Sequence, residues 1–157
     1  MLRRGRPVGP EFVESAPVCM AFGAEVAAPP AAVYRELAEC VEDWPDWFGP
    51  LVAVARTPEG RQVRLRGGGQ FWETVLVAEP ATRYAYRTDR TNAPGMTALV
   101  EDWLLVPAGG ATRVRWTVAT DGTAVYRAVV RAARPAIGRS FRDAMRALDR
   151  RLTLPES

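Results

Sequence analysis

The longest periodic stretch of the chain lies at its C-terminal end, from Thr123 to Leu152. Apolar residues recur there at steps of three and four, which places them on one face of a helix. These positions hold Tyr126, Val130, Ala133, Ile137, Phe141, Met145, Leu148 and Leu152. Eight arginines stand at other positions of this stretch, so we expect the opposite face to contact solvent. A helix this long that is apolar on one side only requires a broad apolar surface to pack on.

Both the start and the middle of this helix carry recognisable signals. Asp121-Gly122-Thr123 offers a turn and an N-cap immediately before the periodic pattern begins. Pro135 lies inside the pattern, where it lacks a backbone N–H and its ring clashes with the preceding turn. The sequence therefore predicts a helix that starts after Thr123 and is kinked near Pro135.

The residues before the helix predict the sheet that it needs. Six segments with strand character are separated by turns rich in glycine and proline, at 51–57, 61–66, 70–78, 82–88, 97–106 and 112–120. The last alternates most clearly, with Val114, Trp116 and Val118 on one face. Successive hairpins predict an antiparallel sheet with helices on one side, which is the α+β class. Gly67-Gly68-Gly69 lacks the lysine of a phosphate-binding loop, so we interpret it as a bend between strands.

The first third of the chain completes this order of elements. A further strand is predicted over 19–26, and two short helices follow it, one after Ala28-Pro29-Pro30 and one around Trp44 and Trp47. Residues 1–15 contain several glycines and prolines with little periodicity, and we expect a flexible leader there. We expect residues 16–153 to form a single domain and residues 154–157 a short tail.

Composition excludes several classes of site. The chain contains no histidine, which excludes a Ser-His-Asp triad, a Cys-His pair and any histidine-bound metal. No apolar run approaches the roughly 18 residues of a membrane span, and no apolar signal sequence follows the basic start. With only Cys19 and Cys40, we expect a cytoplasmic protein with reduced thiols. We also expect no metal and no cofactor.

The net charge of +3 comes from arginine, much of it on the last helix. Binding to nucleic acid would call for exposed aromatic residues among the basic ones, or for a known motif. A solvated helix face is the simpler interpretation, because the arginines share the helix with an apolar face and with Asp143 and Asp149. We therefore expect no nucleic-acid partner.

Several local sequences and their order resemble the START-like helix-grip (SRPBCC) superfamily, over about residues 18–152. The resemblance is carried by Ala28-Pro29-Pro30 with Val33 and Tyr34, Trp44-Pro45-Asp46 with Phe48, Trp72-Glu73, Gly109-Gly110 with Thr112, Arg115 and Trp116, and the long last helix. Its polyketide cyclase/dehydrase and lipid-transport branch is the most similar. The resemblance implies a curved antiparallel sheet of about seven strands wrapped around the C-terminal helix, with two short helices after the first strand.

The resemblance also implies an apolar cavity between the sheet and the last helix, which holds a hydrophobic ligand. Trp44 and Trp72 match tryptophans that line this cavity in the family. Further candidates for contact with the ligand are Trp47, Phe48, Met96, Trp103, Trp116 and Phe141. For each aromatic residue the alternative is a place in the packed core, and Trp116 fits that alternative best because it alternates with Val114 and Val118.

The catalytic half of the resemblance is weaker. Aromatic polyketide cyclases of this fold place an arginine, a serine and a tyrosine in the pocket to polarise carbonyls and move protons. The matching positions here hold Ala78, Leu76 and Leu51. A second pocket arginine corresponds to Arg87 in one possible register. The resemblance thus implies ligand binding more directly than catalysis.

The strands nevertheless contain residues capable of acid–base chemistry. Tyr84 and Tyr86 share one strand face, where a phenol could donate to a ligand carbonyl or act as a general acid; packing across strands is the alternative. Because adjacent residues point to opposite faces, one of Glu101 and Asp102 must face inward. A desolvated carboxylate there could remove a proton next to a ketone, or pair with an arginine instead. The catalytic candidates are Tyr84, Tyr86, Arg87 and Glu101, and Glu73 is the other carboxylate in an apolar strand.

The resulting functional hypothesis is a protein that binds a hydrophobic aromatic or polyketide-like molecule and assists its cyclisation or dehydration. The alternative is a carrier or sensor for a lipid, a quinone or a similar ligand, without catalysis. A third hypothesis is an interaction module that contacts an acidic partner through the arginine-rich helix. From the first hypothesis we expect the partner to be a hydrophobic small molecule, such as a polyketide intermediate. We expect the protein to be a monomer or a homodimer.

Overall fold

The computed structural model describes residues 1–153, and the predicted tail at 154–157 lies outside the described residues. The strands are β1 (Arg3–Arg4), β2 (Val18–Val26), β3 (Leu51–Arg56), β4 (Gly60–Leu65), β5 (Gln70–Glu79), β6 (Arg83–Thr91), β7 (Met96–Ala108) and β8 (Ala111–Gly122). The helices are α1 (Pro30–Tyr34), α2 (Ala124–Ala132) and α3 (Arg134–Thr153). A π-helical turn, Arg35–Glu39, continues α1, and Pro10–Glu14 and Val41–Asp46 form 3-10 helices.

One curved antiparallel sheet contains every strand of the described part. Seven strands follow the order β2-β8-β7-β6-β5-β4-β3, and β1 pairs with the end of β6. Six hairpin segments, one earlier strand and two short helical segments were predicted, and all are confirmed to within a few residues. Gly67 and Gly68 take positive φ angles of 88° and 97° between β4 and β5, which explains why glycine stands at this bend.

The C-terminal helix follows its sequence pattern closely. Thr123 caps α2 by accepting a hydrogen bond from the Tyr126 backbone N–H at 3.2 Å. The α-helical pattern is interrupted at Ala133, two residues before Pro135, which confirms the predicted kink. Beyond it, α3 buries one face, formed by Gly138, Phe141, Ala144, Met145 and Leu148. This face lies on the concave side of the sheet.

Aromatic rings form the contact between α3 and the sheet. The ring of Phe141 lies 5.7 Å from that of Trp116 and 6.0 Å from that of Trp103, measured between centroids. Trp103 and Trp116 oppose each other on β7 and β8 and stack at 5.3 Å. All three side chains have lost nearly all solvent contact, so they dominate the apolar area that holds the helix in place.

The N-terminal residues, expected to form a flexible leader, instead pack on the outer face of the sheet. Strand β1 pairs with β6, and the Arg6 backbone N–H donates to the Thr97 carbonyl at 2.7 Å. Phe12 of the first 3-10 helix is buried against Ala98, Val100 and Ala119. The structure differs from the expectation because these outward residues of β7 and β8 are apolar, and Phe12 covers them. Within residues 1–153, no helix combines the length and apolar character that crossing a bilayer requires.

Replacing Phe141 by alanine tests whether this aromatic contact anchors α3. Phe141 is 0% exposed, so we expect the free energy of unfolding to fall by about 3–5 kcal/mol, measured by urea denaturation. Arg142→Ala, at the neighbouring exposed position, serves as the control and should change it by less than about 0.5 kcal/mol. A loss below about 1 kcal/mol for Phe141→Ala would contradict the assignment of Phe141 to the core.

Candidate ligand cavity and its buried charges

An apolar cavity lies between the concave face of the sheet, the second 3-10 helix and the start of α3. Its volume is about 230 Å³. The residues that line it are Trp44, Phe48, Pro50, Leu51, Arg61, Val63, Leu65, Phe71, Glu73, Tyr86, Leu99, Glu101, Trp116, Ile137 and Ser140. Leu65, Phe71, Leu99 and Ile137 keep part of their surface accessible and so mark the side that meets solvent. Trp44 and Arg61 are buried and mark the closed end.

An ion pair between Arg61 and Glu73 occupies the closed end. The two residues oppose each other across β4 and β5, and Arg61 Nε lies 2.5 Å from Glu73 Oε1. Both side chains are almost fully buried, at 3% and 4% exposure. The guanidinium carbon also lies 4.1 Å from the ring centroid of Trp44 and 4.4 Å from that of Tyr86. Arg61 is therefore fixed between two rings and a carboxylate.

This environment keeps Arg61 charged and leaves it one free donor. Burial opposes its charge, but Glu73 and the nearby tyrosines outweigh burial, and the pKa of Arg61 is raised. Its Nη1 is buried and has no hydrogen-bond partner among residues 1–153. A buried donor without a partner carries a free-energy cost, which a ligand oxygen in the cavity would remove.

Glu101 is the second carboxylate at the cavity wall. Trp116 Nε1 donates to Glu101 Oε1 at 3.1 Å, and Tyr86 lies directly opposite Glu101 in the β6–β7 register. Burial raises the pKa of Glu101 from its ordinary value of 4.5 to about 7; the charge of Glu73 adds to the rise and Arg61 opposes it. The part of Glu101 that remains accessible lies at the cavity. Near neutral pH this carboxyl can both accept and release a proton.

The neighbouring Asp102 points to the outer face, where Arg83 Nη2 lies 2.7 Å from its Oδ2. This arrangement answers the question that the sequence left open, since Glu101 faces inward and Asp102 forms the ion pair. The alternation of strand residues therefore separates a cavity carboxyl from a structural one.

Tyr84 and Tyr86 share one strand face, as the sequence predicted, and the structure turns that face to the concave side of the sheet, with the ring centroids 5.5 Å apart. Only Tyr86 lines the cavity. Its hydroxyl accepts a hydrogen bond from Trp103 Nε1 at 3.3 Å. Burial and the nearby Glu101 raise the pKa of Tyr86 well above its ordinary value, so the phenol stays protonated near neutral pH.

Trp72 and Arg87 were expected at the cavity, and the structure places both elsewhere. The inward positions of β5 and β6 are taken by Glu73 and Tyr86, so their neighbours face outward. The ring of Trp72 lies 5.2 Å from the Arg90 guanidinium, and Arg87 Nε donates to Asp89 Oδ1 at 2.8 Å.

The other aromatic candidates divide between cavity and core. Trp44, Phe48 and Trp116 line the cavity, although the sequence favoured a place in the core for Trp116. Trp47, Met96, Trp103 and Phe141 are buried without lining it. Trp103 and Phe141 lie directly behind the wall, because both rings contact Trp116.

Arg61 is the residue that sequence reasoning missed. Arg61, Val63 and Leu65 alternate with Gln62 and Arg64, so the pattern already placed Arg61 on the apolar face of its strand. An arginine in phase with apolar residues was the available signal.

One cluster in the described part of the chain has the composition of a metal site. Ligand atoms of Glu36, Cys40 and Asp43 lie within 4.8 Å of one another. Arg151 lies 3.2 Å from Glu36 Oε2 and 3.0 Å from Asp43 Oδ2, so an arginine already neutralises these carboxylates. The cluster fits an ion-pair network that ties α3 to the short helices.

The sequence matches the family model described as polyketide cyclase / dehydrase and lipid transport over residues 18–153. The chain belongs to this family. An uncharacterized protein of Mycobacterium tuberculosis is 29% identical to this chain over 150 residues, which cover 91% of this chain and 89% of the relative.

Solved structures share the helix-grip fold of this family member. A START superfamily protein from Mycobacterium smegmatis superposes with a TM-score of 0.66 at 15% identity, covering 85% of this chain and 96% of that one. The Zhui aromatase/cyclase from a Streptomyces species superposes with a TM-score of 0.70 at 19% identity, covering 85% and 94%. The predicted START-like helix-grip fold is thereby confirmed.

The buried ion pair can be tested by a double-mutant cycle. We expect Arg61→Met and Glu73→Met each to lower the free energy of unfolding by about 3–5 kcal/mol, because each leaves an unpaired buried charge. The double variant should lose clearly less than the sum of the two. Urea denaturation measures all three.

Arg146→Met is the control for the loss of an arginine, since Arg146 and its partner Asp143 are 70% and 64% exposed. It should cost less than about 1 kcal/mol. Additive losses at Arg61 and Glu73 would contradict a direct interaction between the two charges.

The raised pKa of Glu101 predicts how stability depends on pH. The folded state keeps the proton up to about pH 7, whereas the unfolded chain releases it near the ordinary value of 4.5. We therefore expect this contribution to stability to be present below 4.5 and to be lost as the pH rises to about 7.

Urea denaturation across this window should show a shallower decline for Glu101→Gln, which has no proton to lose, than for the unchanged protein. The exposed Glu79→Gln serves as a control for the loss of one carboxylate and should follow the unchanged protein. Identical pH profiles for Glu101→Gln and the unchanged protein would contradict the raised pKa.

Proposed function

We propose that the protein binds a compact hydrophobic molecule, aromatic or polyketide-like, and assists its cyclisation or dehydration by proton transfer through Glu101. The observation that carries this proposal is a carboxyl group with a pKa of about 7 at the wall of an apolar cavity. Catalytic acids and bases work best when their pKa lies near the operating pH.

The size and walls of the cavity favour a ligand of one or two rings. A cavity of roughly 150 Å³ accommodates benzene. The volume of about 230 Å³ found here exceeds that, but it is small for a long flexible chain. Trp44, Phe48 and Trp116 supply flat aromatic surfaces against which a ring can pack.

The charged groups suit chemistry next to a ketone. As a carboxylate, Glu101 takes the proton from the carbon adjacent to the carbonyl, and the electron pair of that C–H bond moves to form an enolate. The free Nη1 of Arg61 donates to the carbonyl oxygen, where the negative charge develops. Positioned proton transfer contributes roughly 10²–10⁴-fold in rate.

Two outcomes follow from the enolate. In cyclisation its carbon attacks a second carbonyl of the same molecule, and the new alkoxide takes the proton from Glu101. In dehydration the C–O bond to a β-hydroxyl breaks, and Glu101 returns its proton to the departing oxygen, which leaves as water. Either sequence restores the Glu101 carboxylate. The aromatase/cyclase name of the Streptomyces neighbour is compatible with this class of reaction.

Carriage without catalysis is the alternative function, and one observation favours it. Where the related cyclases place a tyrosine, an arginine and a serine, this chain has Leu51, Ala78 and Leu76, and Leu51 lies at the cavity wall. The cavity would then hold a lipid, a quinone or a similar molecule by apolar contact, with Arg61 and Glu101 serving only to orient it.

Hydrogen–deuterium exchange on a small ketone tests the proposal and separates it from the alternative. The probe is 2-tetralone, a two-ring ketone with acidic protons next to its carbonyl. We expect the protein to accelerate deuterium uptake from D₂O, followed by mass spectrometry, with a rate that rises through about pH 7 as Glu101 ionises. Glu101→Gln should lower the catalysed rate by about 100-fold or more.

Quenching of tryptophan fluorescence reports binding of the same probe, because Trp44 and Trp116 line the cavity. The exposed Glu79→Gln is the control and should retain both binding and rate. Binding without acceleration would favour the carrier. Acceleration that survives in Glu101→Gln would assign the proton transfer to another group.

A further inference from the structure

The outward face of α2 is apolar although it contacts solvent. No residue of α2 is buried, and Val125 and Val129 are 74% and 61% exposed. The exposed apolar positions are Ala124, Val125, Ala128, Val129 and Ala132, followed at the start of α3 by Pro135 and Ala136. They recur at helical spacing, so they form one continuous stripe on the surface. We call it the α2 stripe.

A surface groove beside the stripe extends the apolar area. It has a volume of about 560 Å³ and lies between α2 and the loop before β7. Its walls are Arg3, Ala93, Pro94, Gly95, Thr123, Val125, Tyr126, Val129 and Val130. The two exposed valines therefore stand at the edge of a wider apolar surface, rather than as isolated residues.

Arginines surround this surface and no acidic residue lies among them in sequence. Residues 123–142 contain five arginines, at positions 127, 131, 134, 139 and 142, and neither aspartate nor glutamate. Within the described part of the chain, Arg131 donates to the Pro17 carbonyl at 3.1 Å, and Arg134 lies over the Phe22 ring at 5.2 Å. Neither contact cancels the charge. Arg3 of β1 adds a further positive charge at the groove.

This charge distribution bears on what could cover the stripe. Of the five arginines, Arg127 pairs with Asp121 at 3.6 Å. A second copy packed through the same face would bring the other four of each copy together, and like charges at an interface oppose association. An apolar stripe bordered by arginines is instead the composition of helices that lie in the interface of a bilayer. Each arginine near an anionic bilayer surface adds to the attraction.

We propose that the α2 stripe docks on the surface of an anionic lipid bilayer. Val125 and Val129 enter the headgroup region, and Arg131 and Arg134 contact lipid phosphates. The helix lies on the membrane and does not cross it.

The accessible side of the cavity lies close to the helix junction that carries the α2 stripe. Ile137, at the accessible side of the cavity, lies one helical turn after Ala133 at the junction of α2 and α3. Leu99, on the same side, pairs with Thr120, whose hydroxyl is 2.8 Å from that of Tyr126 in α2. Docking through the stripe would therefore hold the α2–α3 junction, and the cavity wall attached to its inward face, close to the bilayer, where hydrophobic ligands partition.

Sedimentation with vesicles tests the proposal on the full chain without any ligand. We expect binding to vesicles of phosphatidylcholine and phosphatidylglycerol in equal amounts, weaker binding to phosphatidylcholine alone, and a loss of binding as salt is added. The double variant Val125→Ser, Val129→Ser should bind about tenfold or more weakly, since both exposed side chains lose their apolar contact.

Matched variants on other surfaces control for the chemistry of each change. Val52→Ser with Val106→Ser alters two valines that are 46% and 53% exposed on β3 and β7 and should retain binding. Arg131→Gln with Arg134→Gln should weaken binding about tenfold or more. Arg113→Gln with Arg115→Gln, exposed on β8, removes the same charge away from the stripe and should weaken it less. Circular dichroism confirms that each variant is folded.

Two results would overturn the proposal. One is failure of the unchanged protein to sediment with anionic vesicles at low salt, in which case binding to polyglutamate would point to an acidic protein instead. The other is a result in which both valine double variants, or both arginine double variants, weaken vesicle binding equally. It would show that the α2 stripe is not the surface that binds the vesicles. Because the stripe variants leave the cavity intact, they should exchange 2-tetralone protons as the unchanged protein does. Failure of docking and failure of the proposed reaction are thus measured separately.

Discussion

The ion pair between Arg61 and Glu73 is the interaction on which the candidate site depends. A guanidinium at the closed end of an apolar cavity is stable only if its charge is compensated, and Glu73 at 2.5 Å supplies that charge. The rings of Trp44 and Tyr86 supply the remaining contacts of the cation. Four elements of the fold thereby meet at one side chain, because these residues come from β4, β5, β6 and the second 3-10 helix.

The same pair determines the chemistry of Glu101. Arg61 can fully compensate only one carboxylate, and Glu73 holds the closer position. The second carboxyl is left buried beside a negative charge, and its pKa moves to about 7. If Glu73 and Arg61 were absent, burial alone would still disfavour the charge, but no fixed donor would face the ligand oxygen. The raised pKa of Glu101 is therefore a consequence first of its burial and then of the neighbouring charge of Glu73.

The fold could be predicted from the sequence because its signals are local and repeated. Three predictions depended only on neighbours in sequence, and each was confirmed: the apolar face of α3, the kink near Pro135 and the alternation of residues in β8. The packing of residues 1–15 could not be predicted, because it depends on residues that are distant in sequence. The burial of Phe12 depends on the outer faces of β7 and β8, which only the assembled sheet brings next to it. Glycine and proline content says nothing about such a distant surface.

Residues of the candidate site could be predicted only in strands whose inward and outward positions were known from the sequence. The alternation showed that one of Glu101 and Asp102 had to face inward, but not which one. Trp72 and Arg87 were expected at the cavity, and each lies one residue away from an inward position, Glu73 and Tyr86. One residue is sufficient to move a side chain from the cavity to the solvent. Arg61 shows that the error is avoidable, since its phase with Val63 and Leu65 is visible in the sequence. An arginine in an apolar phase implies a buried partner, and a search for that partner leads across the hairpin to Glu73 and from there to the cavity.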